Sequence, residues 1–439
     1  MDRIVYSANE KFLLTATDLC SIEKVNVKKQ NLMNYNNLVI YDKKNKKALF
    51  EIPNVYPQHY YPHTILDYAN VIKHWLANKN EELPILSISI KDQPHCDFSC
   101  KECFAVSTRK WAIDNFNRLD IETYKNILKQ ISIFSKERGV DSVRLEFCGE
   151  GNPDLYKDRC EIIEYAKKEC NMSIVYISTG SQMSEKLKET LAKYASFVRV
   201  SFPGISNEAY EYYSNQNTDN KHTYSDSINL LSDLAKLRKK YKREEQLLIG
   251  TRTCMRRLNN GNYISFCKEL GKIGIDCLQI VKVITEDDDI ILKNTLDKET
   301  RKELLDLQIN YKEYGLKHLQ IPKILDKLYI DRTLEHYIKP TICYSSMMCP
   351  ILYDNNLIVC THWDKIKNKK DFHYGELTGK ENEIQELMYN DRAKQIRKLI
   401  PGNCKDCCAL KDNYLMEIIK SKLISCEDLE DIEFLLSEW

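Results

Sequence analysis

Three cysteines stand close together in the segment Cys96-Asp97-Phe98-Ser99-Cys100-Lys101-Glu102-Cys103-Phe104. Iron–sulfur clusters are bound through cysteine thiolates, so three of them from one loop can hold three corners of a cubane and leave the fourth iron open. A bare CxxC would read equally as half of a four-cysteine zinc knuckle. The third cysteine, the trailing aromatic Phe104 and the β-branched run at 85–90 weigh toward the cluster. A second group, Cys343, Cys349, Cys360, Cys404, Cys407 and Cys408, lies near the carboxyl end. Taking Cys343, Cys360, Cys404 and Cys407 as ligands leaves gaps of 16, 43 and 2 residues, with Cys349 and Cys408 spare. Zinc on these four thiolates is the alternative, because ligand count alone does not separate it from a cubane.

The elements that must position these loops follow from periodicity. From residue 85 on, short β-branched runs at 85–90, 143–147, 173–177, 198–202, 247–251 and 278–283 alternate with helical patterns such as Ile121, Tyr124, Leu128 and Ile131, or Ile228, Leu231 and Ala235. Six parallel strands with outer helices fit an α/β fold, a partial (β/α)6 barrel whose reactive residues gather at the carboxyl ends of the strands. Residues 1–84 break that rhythm: 37–52 reads as a β-hairpin turning through the lysines at 43–47, and 65–75 as a helix, together a small accessory α+β module. The expected organisation is therefore 1–84 accessory module, 85–320 core, 321–342 linker, 343–410 cysteine-rich domain and 411–439 terminal helix. The acidic run at 286–289 reads as a solvated loop.

Composition narrows the class. The 439 residues are 43% apolar and 29% charged, the balance of a globular protein, and 65 basic against 64 acidic residues give no charge argument for nucleic acid or membrane. No secretory signal and no apolar run of about 18 residues is visible, so the reading is cytoplasmic. In that compartment 17 cysteines point to metal or redox chemistry rather than a disulfide framework. Cys20, Cys160, Cys170, Cys254, Cys267 and Cys277 are scattered and read as small apolar core residues.

The CxxxCxxC spacing directly after the first strand of a βα series resembles the radical S-adenosylmethionine (SAM) superfamily, over roughly residues 85–410. The resemblance implies a [4Fe-4S] cluster on Cys96, Cys100 and Cys103, with SAM chelating the open iron and cleaved reductively to a 5′-deoxyadenosyl radical. Further motifs come in the family's order. Cys148-Gly149-Glu150-Gly151-Asn152-Pro153 is similar to its Gly-Gly-Glu-Pro element, with Cys148 in place of the first glycine and Gly151 and Asn152 before the proline. It implies Gly149 and Glu150 at the SAM amino group. Ser178-Thr179-Gly180 resembles the element beside the SAM ribose. Ser201 and Arg252 close the next two strands, where a polar group and a cation would meet SAM. Gln279 and Lys282 on the sixth strand fit either a substrate-facing or a structural role.

The second cysteine group resembles the family's twitch or SPASM extension, and its spacing is close to the single-cluster pattern of the 2-deoxy-scyllo-inosamine dehydrogenase group. Only Cys408 and Cys426 follow the CxxC, which implies one auxiliary [4Fe-4S] cluster. The implied function is an oxidoreductase or maturase that oxidises or cross-links a ribosomally made precursor peptide by C–H hydrogen abstraction, fed by a flavodoxin or ferredoxin. A dehydrogenase for a sugar, cyclitol or nucleoside is the alternative enzyme reading, and a zinc-organised binding protein the non-enzymatic one. No catalytic side chain is singled out by the sequence.

Overall fold

The computed structural model describes residues 82–103, 119–216, 221–281, 296–321, 342–359 and 373–400, single positions at 105, 109, 113 and 283, and, as backbone alone, 401–403 and short strands near both termini. Near the amino terminus β1 (Thr15–Ala16), β2 (Cys20–Lys28), β3 (Asn34–Asp42) and β4 (Lys47–Pro53) are formed. β3 and β4 pair antiparallel, the hairpin expected over 37–52, and β2 adds to the other side of β3. The helix expected at 65–75, Lys282 and the acidic run at 286–289 lie outside the described residues.

Each of the six β-branched runs of the core is a strand, with ends shifted by up to three residues. β5 (Ser87–Ile90), β6 (Arg144–Cys148), β7 (Ser173–Ser178), β8 (Ala195–Phe202), β9 (Leu248–Cys254) and β10 (Cys277–Val281) stand side by side in chain order, all parallel. A seventh, β11 (His318–Gln320), extends the same edge. At the other edge β12 (Ile351–Tyr353) lies parallel to β5, and β13 (Asn356–Ile358) and β14 (His373–Glu376) follow antiparallel. The β12–β13 hairpin, which runs up to the residues just before Cys360, thus continues the core sheet. β15 (Ile424–Ser425) pairs with β1.

Right-handed βα connections put helices on one face of a parallel sheet. They are α1 (Ile121–Lys136), α2 (Arg159–Lys168), α3 (Glu185–Tyr194), α4 (Asn207–Ser214), α5 (Tyr224–Lys240), α6 (Tyr263–Ile273) and α7 (Lys298–Asn310). All of these starts but those of α2 and α6 are capped by a short polar side chain: Asp120 accepts from Thr123 N at 2.9 Å, and Thr223 forms a reciprocal box with Asp226. Side chains alternate across a strand. One set, including Ile88, Leu145, Phe147, Val198, Val200, Ile249, Leu278 and Ile280, packs against the helices in the main core. The opposite set is only partly apolar: Val175, Ile177, Phe197 and Cys277 form a small separate cluster, flanked by Cys148 and Leu248. The inner face therefore has an apolar floor and polar positions beyond it.

The amino-terminal end of the strands is locked by Asp276, which is 1% exposed. It pairs with Arg238, accepts the amide of Ile249 at 2.8 Å, and meets Lys317 at 2.9 Å. Arg238 also donates to the carbonyls of Leu247 and Gly274 at 3.1 and 2.7 Å. Removing one partner of such a buried pair strands the other charge, at a cost of about 3–5 kcal/mol. Asp276→Ala is expected to lose that much in urea unfolding; a loss below about 1 kcal/mol would show that the pair is not needed.

Candidate active site

The cysteine loop begins as β5 ends, and its first two residues are pinned in opposite directions. Lys91 forms a buried ion pair with Glu150 on the loop after β6. Asp92 accepts Arg159 Nη1 and Nη2 at 2.8 and 2.6 Å, and Tyr124 OH at 2.8 Å. Arg159, 1% exposed, lies over the rings of Phe147 and Tyr156 at 4.4 and 4.7 Å. A bidentate pair with a further donor satisfies the charges that burial would otherwise penalise. The loop then rides directly on Gly151: a Cβ there would come within 2.2 Å of the carbonyl oxygen of His95 and 2.4 Å of that of Gln93. Only glycine permits this approach.

Asn152, fully buried, joins three strand ends. Its amide N–H donates to the carbonyl of His95 at 2.7 Å, and its Nδ2 to Asp97 Oδ1 at 2.9 Å and Ser181 Oγ at 3.0 Å. Its Oδ1 accepts the amide of Asp154 at 3.1 Å. The Ser178 hydroxyl, 3.2 Å from Asn152 Oδ1, donates to Asp154 Oδ2 at 2.7 Å and accepts from Gly180 N at 2.8 Å. On the far side of the loop the amides of Ser99 and Lys101 donate to the carbonyls of Ser214 and Tyr213, both at 3.2 Å. Glu102 pairs with Arg256 at 2.7 Å, and Arg256 also holds the carbonyl of Pro203. Phe98 is buried edge-on against Tyr210.

Cys96, Cys100 and Cys103 are thus presented by a loop fastened on both sides. All three are half-buried and free of disulfides. Burial raises the Cys96 thiol, against a hydrogen bond from the backbone of Phe98. Burial also pushes Cys100 up to about 12, with Cys103 and Cys96 adding to the rise. A coordinated metal deprotonates such thiols outright. Among the described residues no group of three His, Cys, Asp or Glu converges on a single-ion site. A cubane takes each thiolate on a different iron and does not ask them to converge.

Glu150 has one oxygen on Lys91, and its other, Oε2, is buried without a hydrogen-bond partner. A buried carboxylate oxygen left in this way calls for a donor. Gly149 sits beside it at the end of β6, and Ser178 and Thr179 at the end of β7; Thr179 Oγ1 is 2.8 Å from Ser181 Oγ. Ser201 and Arg252 are register partners on β8 and β9, on the inner face, and both are half-buried. Gln279 is the next partner in line and bonds to Arg199, so its amide has a settled structural contact. Phe104, Cys360, Cys404 and Cys407 lie outside the described residues. Cys343 is buried, its amide bonded to the carbonyl of Arg397 at 3.1 Å.

Asp92, Asn152, Arg159, Arg256 and Arg199 were not singled out from sequence. The one local signal was Asn152 ahead of Pro153-Asp154, a turn-forming run. Two outcomes test the polar network around Asn152. Asn152→Ala removes two side-chain bonds to the loop and its neighbour, so in metal-free protein the three cysteines are expected to alkylate about ten-fold faster by mass spectrometry; an unchanged rate counts against the clamp. Burial pushes the Asp154 carboxyl up to about 6, against the bonds from Ser178 and Tyr176. The folded chain then keeps a proton that the unfolded chain has lost, so stability falls as pH rises from about 4 to about 6. Asp154→Asn is expected to remove that part of the decline in urea midpoints measured across this range; an unaltered slope would contradict it.

No protein-family model and no curated protein matches the sequence. Solved structures do. Streptococcus suis SuiB bound to S-adenosylmethionine superposes with a TM-score of 0.51 at 14% identity, over 77% of this chain and 75% of that one. SuiB bound to precursor peptide SuiA gives 0.51 at 11% identity, over 91% and 96%. Native anSMEcpe with bound AdoMet gives 0.50 at 14% identity, over 79% and 98%. The likeness shows the fold: the chain shares the partial (β/α) barrel of these structures. No helix among the described residues is long and apolar enough to cross a membrane.

Proposed function

We propose that the chain is a radical SAM enzyme that oxidises or cross-links a ribosomally made precursor peptide. The observation that carries this reading is the loop of three free thiols fastened at the carboxyl end of the first parallel strand. That is where a barrel of this kind keeps its chemistry. The peptide as substrate is supported by the likeness to SuiB, whose structure includes a precursor peptide.

Cys96, Cys100 and Cys103 would hold the [4Fe-4S] cluster, and the orphaned Glu150 Oε2 fits an ammonium donor such as the SAM amino group. With SAM bound beside it, that cluster would supply radical chemistry able to take a hydrogen atom from a C–H bond. Around it the chain binds and orients. Lys91 holds Glu150 so that its free oxygen stays fixed, and Gly149 brings backbone close to the same amino group. Thr179, beside Ser178, would meet the ribose, and Phe104 would flank the cluster. Ser201 and Arg252, adjacent on the inner face, would take the SAM carboxylate. Cys343, Cys360, Cys404 and Cys407 would hold one auxiliary [4Fe-4S] cluster, an acceptor for the electron left on the substrate. The β2–β4 sheet offers an edge on which an extended leader segment could pair. A flavodoxin or ferredoxin would deliver the first electron.

The test is anaerobic purification followed by SAM, a reductant and a short peptide encoded beside the gene. The expected result is a brown protein that forms 5′-deoxyadenosine and a peptide lighter by about 2 Da, the two hydrogens lost in an oxidation or cross-link. Cys100→Ala should abolish 5′-deoxyadenosine, whereas Cys404→Ala should spare it and impair the peptide product. A colourless zinc-loaded protein that leaves SAM intact would overturn the reading.

A further inference from the structure

The inner face of the barrel carries a cation that neither the cysteine loop nor the strand ends use. Arg199 stands in the middle of β8, on the side of Phe197 and Ser201 and opposite Val198 and Val200, which belong to the helix-side core. It is 8% exposed. Its Nη1 donates to Gln279 Oε1 at 2.7 Å, reaching from β8 to β10, and its Nε is buried without a partner. β9 runs between them, and the β9 residue in register with Arg199 is Gly250. A Cβ at Gly250 would stand 3.0 Å from Cys277 Cβ and 3.1 Å from the Phe197 ring. Glycine therefore keeps the floor packed beside Arg199, while Gln279 is in register with Arg252, two residues further along β9. Among the described residues no carboxylate forms an ion pair with Arg199; Glu146, the acid on the same face, lies 4.0 Å from Arg144 instead.

A guanidinium stays charged at any working pH, and enclosing it with only a neutral amide for company is unfavourable. The arrangement makes physical sense when a ligand brings the missing negative charge. Gln279 fixes one Nη and leaves the Nε edge bare, and a planar guanidinium edge matches a carboxylate. The methionine carboxylate of SAM is provided for by Ser201 and Arg252 at the strand ends, two residues nearer the cysteine loop than Arg199 along the register. We infer that Arg199, oriented by Gln279, binds a carboxylate of the substrate inside the barrel, either an acidic side chain or a chain terminus. This rests on the reading of the chain as a peptide-modifying enzyme, and it narrows that substrate to one carrying a negative charge.

Titration calorimetry on the cluster-loaded protein, with SAM bound so that its own carboxylate site is filled, tests this with three probes. They are N-acetylglutamate α-amide, N-acetylglutamine with a free carboxyl terminus, and the neutral N-acetylglutamine amide. One of the two carboxylates is expected to bind about ten-fold or more tightly than the neutral amide, and the tighter one names the source. Arg199→Met should erase the preference, and Arg199→Lys should keep only part of it, because a point charge does not reproduce the planar fork. The wild-type comparison stands on its own if the Met variant does not fold. Equal binding of all three probes by wild type, or a preference that survives in Arg199→Met, overturns the assignment. A protein that prefers the carboxylate without ever cleaving SAM refutes the radical reading and leaves this site standing. SAM cleavage without any carboxylate preference does the reverse.

Discussion

A carboxylate and a guanidinium buried together cannot be separated without leaving one charge stranded among apolar groups. Asp92 and Arg159 form such a pair, and it sits where the chain leaves β5 for the cysteine loop. Because Arg159 opens α2 and rests on Phe147 of β6, the loop's first residues are tied to the second βα unit before any cysteine is reached. Everything further along inherits that placement. Gln93 and His95 can ride on Gly151, the Asn152 amide can reach Asp97, and Lys91 can occupy one oxygen of Glu150 while the other stays open. The thiols are held in place by neighbours that bear no metal ligands.

The two faces of the sheet divide the labour. Toward the helices a continuous apolar core takes in alternate residues such as Leu145, Phe147, Val198, Val200 and Ile249, and Asp276 with Arg238 closes one end of it. Toward the barrel interior the apolar set stops at a small floor, beyond which stand Arg199, Ser201, Arg252 and Gln279. Stability is thus drawn from one face and from the amino-terminal end of the strands, which frees the other face and the opposite end for polar groups whose burial alone would be unfavourable. Hydrogen bonds from β5 to the stretch around β12 bring the carboxyl-terminal part of the chain onto the same sheet, so Cys343 is carried on an extension of the core.

How much of this was legible in the sequence depended on range. The six core strands were, because β-branched runs between amphipathic helices declare themselves within a short window. The hairpin of β3 and β4 was visible for the same reason, as were the cysteines, whose meaning lies in spacing. β11 was not: His318-Leu319-Gln320 is too short to show alternation. Nor was the docking of β12 beside β5, which joins residues more than two hundred positions apart and leaves no local trace. The site's supporting residues failed for the same cause. Asp92 meets Arg159 across 67 positions, Asp97 meets Asn152 across 55 and Arg199 meets Gln279 across 80, and no short window of sequence shows any of these pairings until the fold makes them.

The proposed chemistry turns on one iron being left open by a loop that offers three thiolates. Electron paramagnetic resonance of the chemically reduced protein, recorded with and without SAM, tests it most directly. A SAM-dependent change in the shape and position of the cluster signal, present in wild type and missing from Cys103→Ala, is the predicted result. A reduced cluster whose spectrum is indifferent to SAM would mean that all its irons are already ligated by the chain, and would contradict the account.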